Sequence, residues 1–417
     1  MNEPDPSVDE GWLFPRLWAV ANVFLIALTW RLWFPPLNGT YPNVSLLGPS
    51  LIIPVWVGWI ASGGVLCGLT AIALQRGRRN LFWWIVVTAS VLGFCIDQHR
   101  LQPWAYQTAI YAVIFATLPR RECQRCLIII ASSVYLFSAL GKFDFQFLHT
   151  VGQDFLQTLA KPIGGLPDDW TLQTRTRCAL IFPITECMIG LGLLIPKTRH
   201  ICAIAVMAMH ATLLGVLGPW GLNHSLGVLG WNLLLFLQAY FLFFQSRSEL
   251  DQWKQPQASK EVGSRLANHF CAVLVAFVVI APLTERRGYW DHWLSWSLYS
   301  PHTSRVELQL HQTVLANLPD QLQRFTDSDP DGDGWHQLYL GDWSLDTRGV
   351  PVYPQARYQL GLSIRLLDAL DQAKSEDGIR GRIRSASDRW SGKRADTQLS
   401  GLQQLQETGN KRYWLWP

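Results

Sequence analysis

The chain has 417 residues, 49% of them apolar, 12% aromatic and only 16% charged, with a net charge of +4. So low a charge density excludes intrinsic disorder for most of the chain and argues against an ordinary cytosolic enzyme. The small net charge gives no reason to expect nucleic acid as a partner, and the mixed tail offers no basic stripe. The charges are also uneven. Residues 284–417 carry 16 of the 35 Lys/Arg and 17 of the 31 Asp/Glu. The sequence therefore divides into a short N-terminal segment, 1–16, an apolar part, 17–283, and a tail of ordinary soluble composition, 284–417.

A helix needs about 20 mostly apolar residues to cross a bilayer. Candidates in chain order are 17–34, 51–74, 81–97, 104–118, 127–141, 178–195, 200–217, 226–244 and 266–283. The expected fold is an all-α polytopic membrane bundle of about nine transmembrane helices, followed by a small mixed α+β domain. Segments 104–118 and 127–141 are short and fit tilted or re-entrant helices.

Cytoplasmic loops are enriched in Lys and Arg. Loop 75–80 carries Arg76, Arg78 and Arg79, and loop 119–126 carries Arg120, Arg121 and Arg125. Loop 196–199 carries Lys197 and Arg199, and loop 245–265 carries Arg247, Lys254, Lys260 and Arg265. The alternate loops 35–50 and 218–225 carry no charge. Nine spans then place the N-terminus in the cytoplasm and the tail outside it. Trp12, Trp18, Trp104, Trp220 and Trp290 fall near span ends, where an indole sits well at the membrane interface. The repeat Trp290, Trp293, Trp296, Tyr299 reads either as an interfacial helix or as a packed face of the tail.

Ionisable residues inside spans are costly and mark functional sites by default. Arg31, Asp97 and Lys142 sit at outer span ends, and His99 and Arg100 follow Asp97 in a short outer loop. At 1.5 Å per residue, Glu186, His210 and Asn232 lie roughly 12, 10 and 9 Å in from the outer ends of their spans. All these groups fall in the outer half, which implies an outward-facing polar cavity. Each residue alone has a structural reading: Lys142 snorkelling to the interface, Glu186 pairing with Arg31 or Lys142, Asp97 pairing with Arg100, His210 held by a packing hydrogen bond. Together they suit proton-coupled work on a lipid-soluble substrate such as a quinone. A lysine kept from water serves as a base, and a histidine shuttles protons near neutral pH.

The stretch YLFSALGKFDFQFLHTVGQDF (135–155) resembles the helix-end motif of DoxX/MauE membrane proteins and of the membrane domain of vitamin K-dependent gamma-carboxylases, the HTTM group. FPITECMIGLGLLIPKTRH (182–200) resembles the next DoxX/MauE helix, in which a Glu precedes a Gly-rich run and a basic turn. MAMHATLLGVLGPWGLNHSLGVLGWNLLLF (207–236) is similar to the carboxylase-type helix carrying a His. The resemblance covers residues 80–245. It implies Lys142 as catalytic base and His210 as the family's helix histidine; the outward polar cluster itself adds His210 as proton shuttle, Glu186 as the group that tunes one of them, and Arg31, Asp97, His99, Arg100 and Asn232 as residues facing a cofactor. The resemblance also implies an extracytoplasmic active site with a soluble domain after the last span.

Cys123 and Cys126 form C-x-x-C at a span start without βαβ context, a weak redox signal. The other six cysteines fall within spans, and the tail has none, which excludes a disulfide-built domain. In DSDPDGDG (327–334), Asp327, Asp329, Asp331 and Asp333 match the start of a Ca²⁺ loop. Position twelve is Leu338 rather than Glu, which argues against an EF-hand and leaves two readings, a weak extracellular-type Ca²⁺ loop or a solvated acidic turn. In the rest of the tail, 306–312 and 335–341 read as strands, 355–373 as an amphipathic helix, and 374–412 as loosely ordered.

The leading expectation is quinone-linked redox or proton-transfer chemistry, with a redox protein or protein substrate on the extracytoplasmic side. Gamma-carboxylase-like modification of a protein is the second reading. A non-enzymatic membrane anchor that presents the tail to a partner is the third.

Overall fold

A computed structural model describes residues 12–37, 39–74, 79–244, 262–316, 318–329, 332–369 and 378–412. Arg76, Arg78, Arg247, Lys254, Lys260 and Asp331 lie outside them. Six helices among the described residues are long and apolar enough to cross a membrane: Val55–Ala73, Arg120–Lys142, Leu172–Leu194, Arg199–Leu217, Leu226–Phe244 and Arg265–Arg287. Their outward faces are strongly apolar. Met188, Ile201, Leu266 and Val273 are each exposed by 68% or more, a surface that water does not tolerate in large patches.

The remaining apolar helices are shorter. Phe14–Leu28 and Asn80–Ile96 fall just below spanning length. Segment 104–118 becomes the 15-residue helix Pro103–Thr117. It is buried along most of its length, so its reach is set by protein neighbours rather than by bilayer thickness. Residues 119–126, expected as a loop, belong to the 23-residue helix Arg120–Lys142. Pro119 starts it, and the following Arg, Glu and Gln residues favour helix. The Cys123–Cys126 pair therefore lies on the first turns of a helix, with Cys123 buried and no disulfide joining the two. The next span is interrupted at Leu180, between Leu172–Ala179 and Ile181–Leu194. Pro183 has no N–H for the carbonyl of Ala179, which breaks the ladder there.

Chain direction sorts the helix ends. Helices Arg79–Ile96, Arg120–Lys142 and Arg199–Leu217 start at one end of the bundle, where the arginines cluster. The first two deliver Asp97 and Lys142 to the other end, against which the C-terminal domain packs.

That domain holds an antiparallel sheet of order β2-β1-β3-β4, built from β1 (Arg305–His311), β2 (Trp335–Leu338), β3 (Ile379–Arg384) and β4 (Asp396–Ser400). β1 and β3 alternate buried and accessible residues, as a half-buried sheet requires. Helices Ala356–Ala369 and Gly401–Arg412 pack on the sheet, with Leu405 set over Gly381. The described part of 374–412 is thus two strands and a helix rather than loose chain. Its charges lie on the exposed faces, which hides the pattern of the buried ones.

Residues 288–304 form successive turns, so of the two readings of Trp290, Trp293, Trp296 and Tyr299 the interfacial helix is not formed. Trp296 and Tyr299 take left-handed φ values of 57° and 59°, which end any helical run. Trp296 is fully buried, and Trp290 meets Phe277 edge to face.

The domain is bolted to the bundle end. The Tyr41 and Trp343 rings lie 4.4 Å apart. Arg348 donates to the Tyr41 carbonyl at 3.1 Å and to Asn43 Oδ1 at 2.9 Å. Buried Asp291 accepts from Tyr353 OH at 2.7 Å, from Gln98 at 3.4 Å and from both terminal nitrogens of Arg357.

Candidate functional site

Helix Arg120–Lys142 places Tyr135, Ser138 and Lys142 three and four residues apart, so they share one face. Lys142 closes the helix, where the carbonyl ends favour a cation. Helix Ile181–Leu194 crosses this face closely at Gly190, where a Cβ would come 2.8 Å from Leu136 Cγ. One turn earlier on the same helix is Glu186. The Lys142 Nζ donates to Glu186 Oε2 at 2.6 Å and to the Ser138 hydroxyl, and it sits 5.9 Å from the centroid of the Tyr299 ring. Lys142 and Glu186 are both buried.

A second polar group faces them. His210 Nδ1 lies 3.0 Å from Asn232 Oδ1, and His210 Nε2 lies 3.2 Å from Tyr135 OH. Asn232 Nδ2 donates to the Val228 carbonyl at 2.9 Å and to Tyr299 OH at 3.0 Å. A carbonyl only accepts, so the amide orientation is fixed and its oxygen faces the histidine. His210 Nδ1 must then carry the proton. Its Nε2 is left with a lone pair, which accepts from Tyr135. Tyr299 OH accepts from Asn232 and keeps its own proton for the cavity; burial pushes that phenol well above the ordinary tyrosine range.

These groups line one cavity of about 490 Å³. Most of its wall is apolar, including Val134, Phe155, Ile189, Leu213, Trp231 and Leu235. Leu159, Ile181, Ala208 and Thr212 also line it and are exposed on the outer surface. The opening is therefore lateral, beside helices Ile181–Leu194 and Arg199–Leu217. A second cavity of about 330 Å³ shares Trp231, Leu298 and Tyr299 with the first and is lined further by Trp104, His224, His292 and Ser300. Burial lowers the pKa of His224 there.

Lys142, Glu186, His210 and Asn232 thus converge as the sequence suggested. Arg31, Asp97, His99 and Arg100 do not line this cavity. Arg31 donates to the Asp346 carbonyl at 2.9 Å on the exposed edge of the C-terminal domain. Asp97 accepts from the His99 N–H at 3.2 Å and faces Arg348 at 3.8 Å. His99 Nε2 meets the Pro351 carbonyl at 2.8 Å. Arg100 pairs with neither Asp97 nor a cofactor position; it donates to the carbonyls of Gly58 and Trp33 at 2.8 and 3.2 Å. The expected single polar cavity is therefore two structures, a chemical cluster and a joint between bundle and domain. Both lie at one end of the molecule, so sequence depth alone could not separate them.

In the acidic loop, Asp327 accepts from Gln337 N at 3.0 Å, Asp329 from Asp333 N and Gly334 N at 3.2 and 3.0 Å, and Asp333 from Trp335 N at 3.0 Å. These carboxylates fold the loop onto its own amides. Tyr135, Ser138 and Tyr299 were not anticipated. Tyr135 and Ser138 had one usable signal, their spacing of seven and four residues before Lys142 on one helical face; Tyr299 had none. No family model, no curated protein and no solved structure matches this chain.

Proposed function

We propose that this protein is a nine-span membrane enzyme acting by proton transfer on a quinone-class ring that enters from the bilayer. The carrying observation is one cavity with a lateral apolar mouth and a proton-exchanging wall. Its volume of about 490 Å³ lies within the range of roughly 300–1,000 Å³ typical of small-molecule sites. Leu159 and Ile181 at the opening suit a lipid-soluble tail, while Lys142, His210 and Tyr299 suit a ring with oxygen substituents. In this reading His210 Nε2 takes a proton from the ring hydroxyl, Tyr135 stands in that hydroxyl's place when the site is free, and Asn232 stabilises the imidazolium. Glu186 holds Lys142 in its ammonium form until substrate arrives; Lys142 then passes that proton to the Glu186 carboxylate, 2.6 Å away, and as the neutral amine takes the second ring-hydroxyl proton. A redox protein on the side of the C-terminal domain takes up the electrons.

The proposed topology has the N-terminus in the cytoplasm and the C-terminal domain outside. It is supported by the arginines at the opposite end of the bundle. Nine spans count the three shorter helices with the six long ones. The similarity to DoxX/MauE and HTTM stretches supports Lys142 and His210 in these roles. A photoreactive short-tail quinone tests the site. Labelling within 134–142 and 205–216, suppressed by excess unlabelled quinone, is expected; labelling spread over the outer lipid-facing helices alone would refute the assignment.

A further inference from the structure

Three donors converge at the end of the last apolar helix, apart from the Lys142–His210 cluster. Glu285 lies on the 3-10 turn Ala281–Arg287, and His292 and His302 come from the turn segment that follows. Glu285 Oε1 is 3.1 Å from His292 Nδ1 and 2.8 Å from His302 Nε2. One donor atom from each residue lies within 4.8 Å of the other two. His292 and His302 are both buried.

Proton accounting limits what can sit between them. The Gly141 carbonyl only accepts, so the Ser300 hydroxyl gives it its single proton. Ser300 Oγ must then accept from His302 Nδ1, 2.8 Å away. With Nδ1 protonated, a neutral His302 turns the lone pair of Nε2 toward a carboxylate oxygen. Two electron pairs facing at that distance repel unless a cation lies between them. The other carboxylate oxygen is drawn to Arg286 Nε at 3.8 Å, and Arg286 is balanced by Asp144 at 2.9 Å. Oε1 therefore remains the oxygen directed at both imidazoles.

We infer that Glu285, His292 and His302 bind a divalent transition-metal ion. Two imidazoles and one carboxylate are donors suited to such ions, and three protein ligands leave at least one position open. Tetrahedral ligand atoms around zinc stand about 3.3 Å apart, so the trio needs shifts of only tenths of an ångström at its two short separations. The chain from His302 through Ser300 to Gly141 is the outer hydrogen bond that fixes a ligand's tautomer. His292 also lines the second cavity, which can supply a water or an external ligand to the open position. The bound ion clamps the 288–304 segment, whose Leu298 and Tyr299 wall both cavities, onto the turn Ala281–Arg287 at the end of the last apolar helix. This site does not depend on the quinone reading.

The test uses the full chain in mild detergent, stripped with a chelator and titrated with Co²⁺. One equivalent is expected, with visible ligand-field bands that Zn²⁺ bleaches. His292→Ala and His302→Ala should each weaken binding by at least 100-fold. Ser300→Ala keeps all three ligands and should weaken it by about 10- to 100-fold. Glu285→Gln, nearly isosteric, gives the same loss where an alanine variant fails to fold, and the elution profile checks folding. The proposal is overturned if the wild type binds no stoichiometric Co²⁺, if the His variants bind as tightly as wild type, or if intense thiolate bands place the ion on Cys123 and Cys126. The first result would leave a proton between Glu285 and His302.

Discussion

Glu186 stands one helical turn from Gly190, and it meets Lys142 at 2.6 Å because the missing side chain at Gly190 lets its helix rest on Leu136. Packing and chemistry are coupled at this crossing. A side chain at Gly190 would strike both the Leu136 side chain and its backbone N, 2.8–3.1 Å away. Gly190→Val should cost about 2 kcal/mol through overpacking and draw Glu186 away from Lys142. Unfolding in mixed detergent measures the cost. Stability equal to wild type would show that the helices separate there without penalty.

The Lys142–Glu186 pair gives a second test. Removing one member of a buried ion pair strands the other charge, at a cost of about 3–5 kcal/mol. Removing both leaves nothing stranded. Lys142→Met alone should therefore destabilise far more than Lys142→Met with Glu186→Gln. A double-mutant cycle reads the difference. Additive losses would mean that the two groups do not share a proton or a charge.

The joint between bundle and domain should weaken in acid. Burial, the largest cause, lowers the pKa of His99 from 6.5 to about 4, with Asp97 opposing the shift and Arg348 adding to it. A histidine depressed on folding contributes stability that is complete above about pH 6.5 and fades as pH falls toward its folded pKa. The melting temperature should fall between pH 6.5 and 4. His99→Gln, which can still donate to the Pro351 carbonyl, should flatten part of that fall. A melting temperature that rises on acidification would contradict the burial of neutral imidazoles.

The sequence made some of this legible for a clear physical reason. Lys142, Glu186, His210 and Asn232 stand out because polar groups are rare in apolar runs, and an apolar interior makes them seek one another. Asp97 and Arg100 stand out equally, yet they hold backbone and domain rather than the cavity. Their partners, the carbonyls of Gly58 and Trp33 and the Arg348 guanidinium, are distant in sequence. Tyr299 carries no signal, since aromatic residues are ordinary in apolar segments, and Tyr135 carries only its spacing of seven residues before Lys142 on one helical face. Glu285, His292 and His302 have no recognised metal-ligand spacing, and only the turns of 288–304 bring them together. The strands at 379–384 and 396–400 were missed because their exposed positions carry the charge. Helix Pro103–Thr117 looked too short for a span, and its burial explains why it need not be longer.

The central claim is that the cavity holds a lipid-soluble ring against His210. Mass spectrometry of small molecules retained by the protein in mild detergent tests it directly, with wild type beside His210→Ala. A stoichiometric quinone in the wild type that is lost from the variant, with folding intact, is the expected result. No retained quinone in the wild type, together with no uptake of added quinone, would contradict it. Equal retention by both proteins would place the quinone elsewhere and remove His210 from the site.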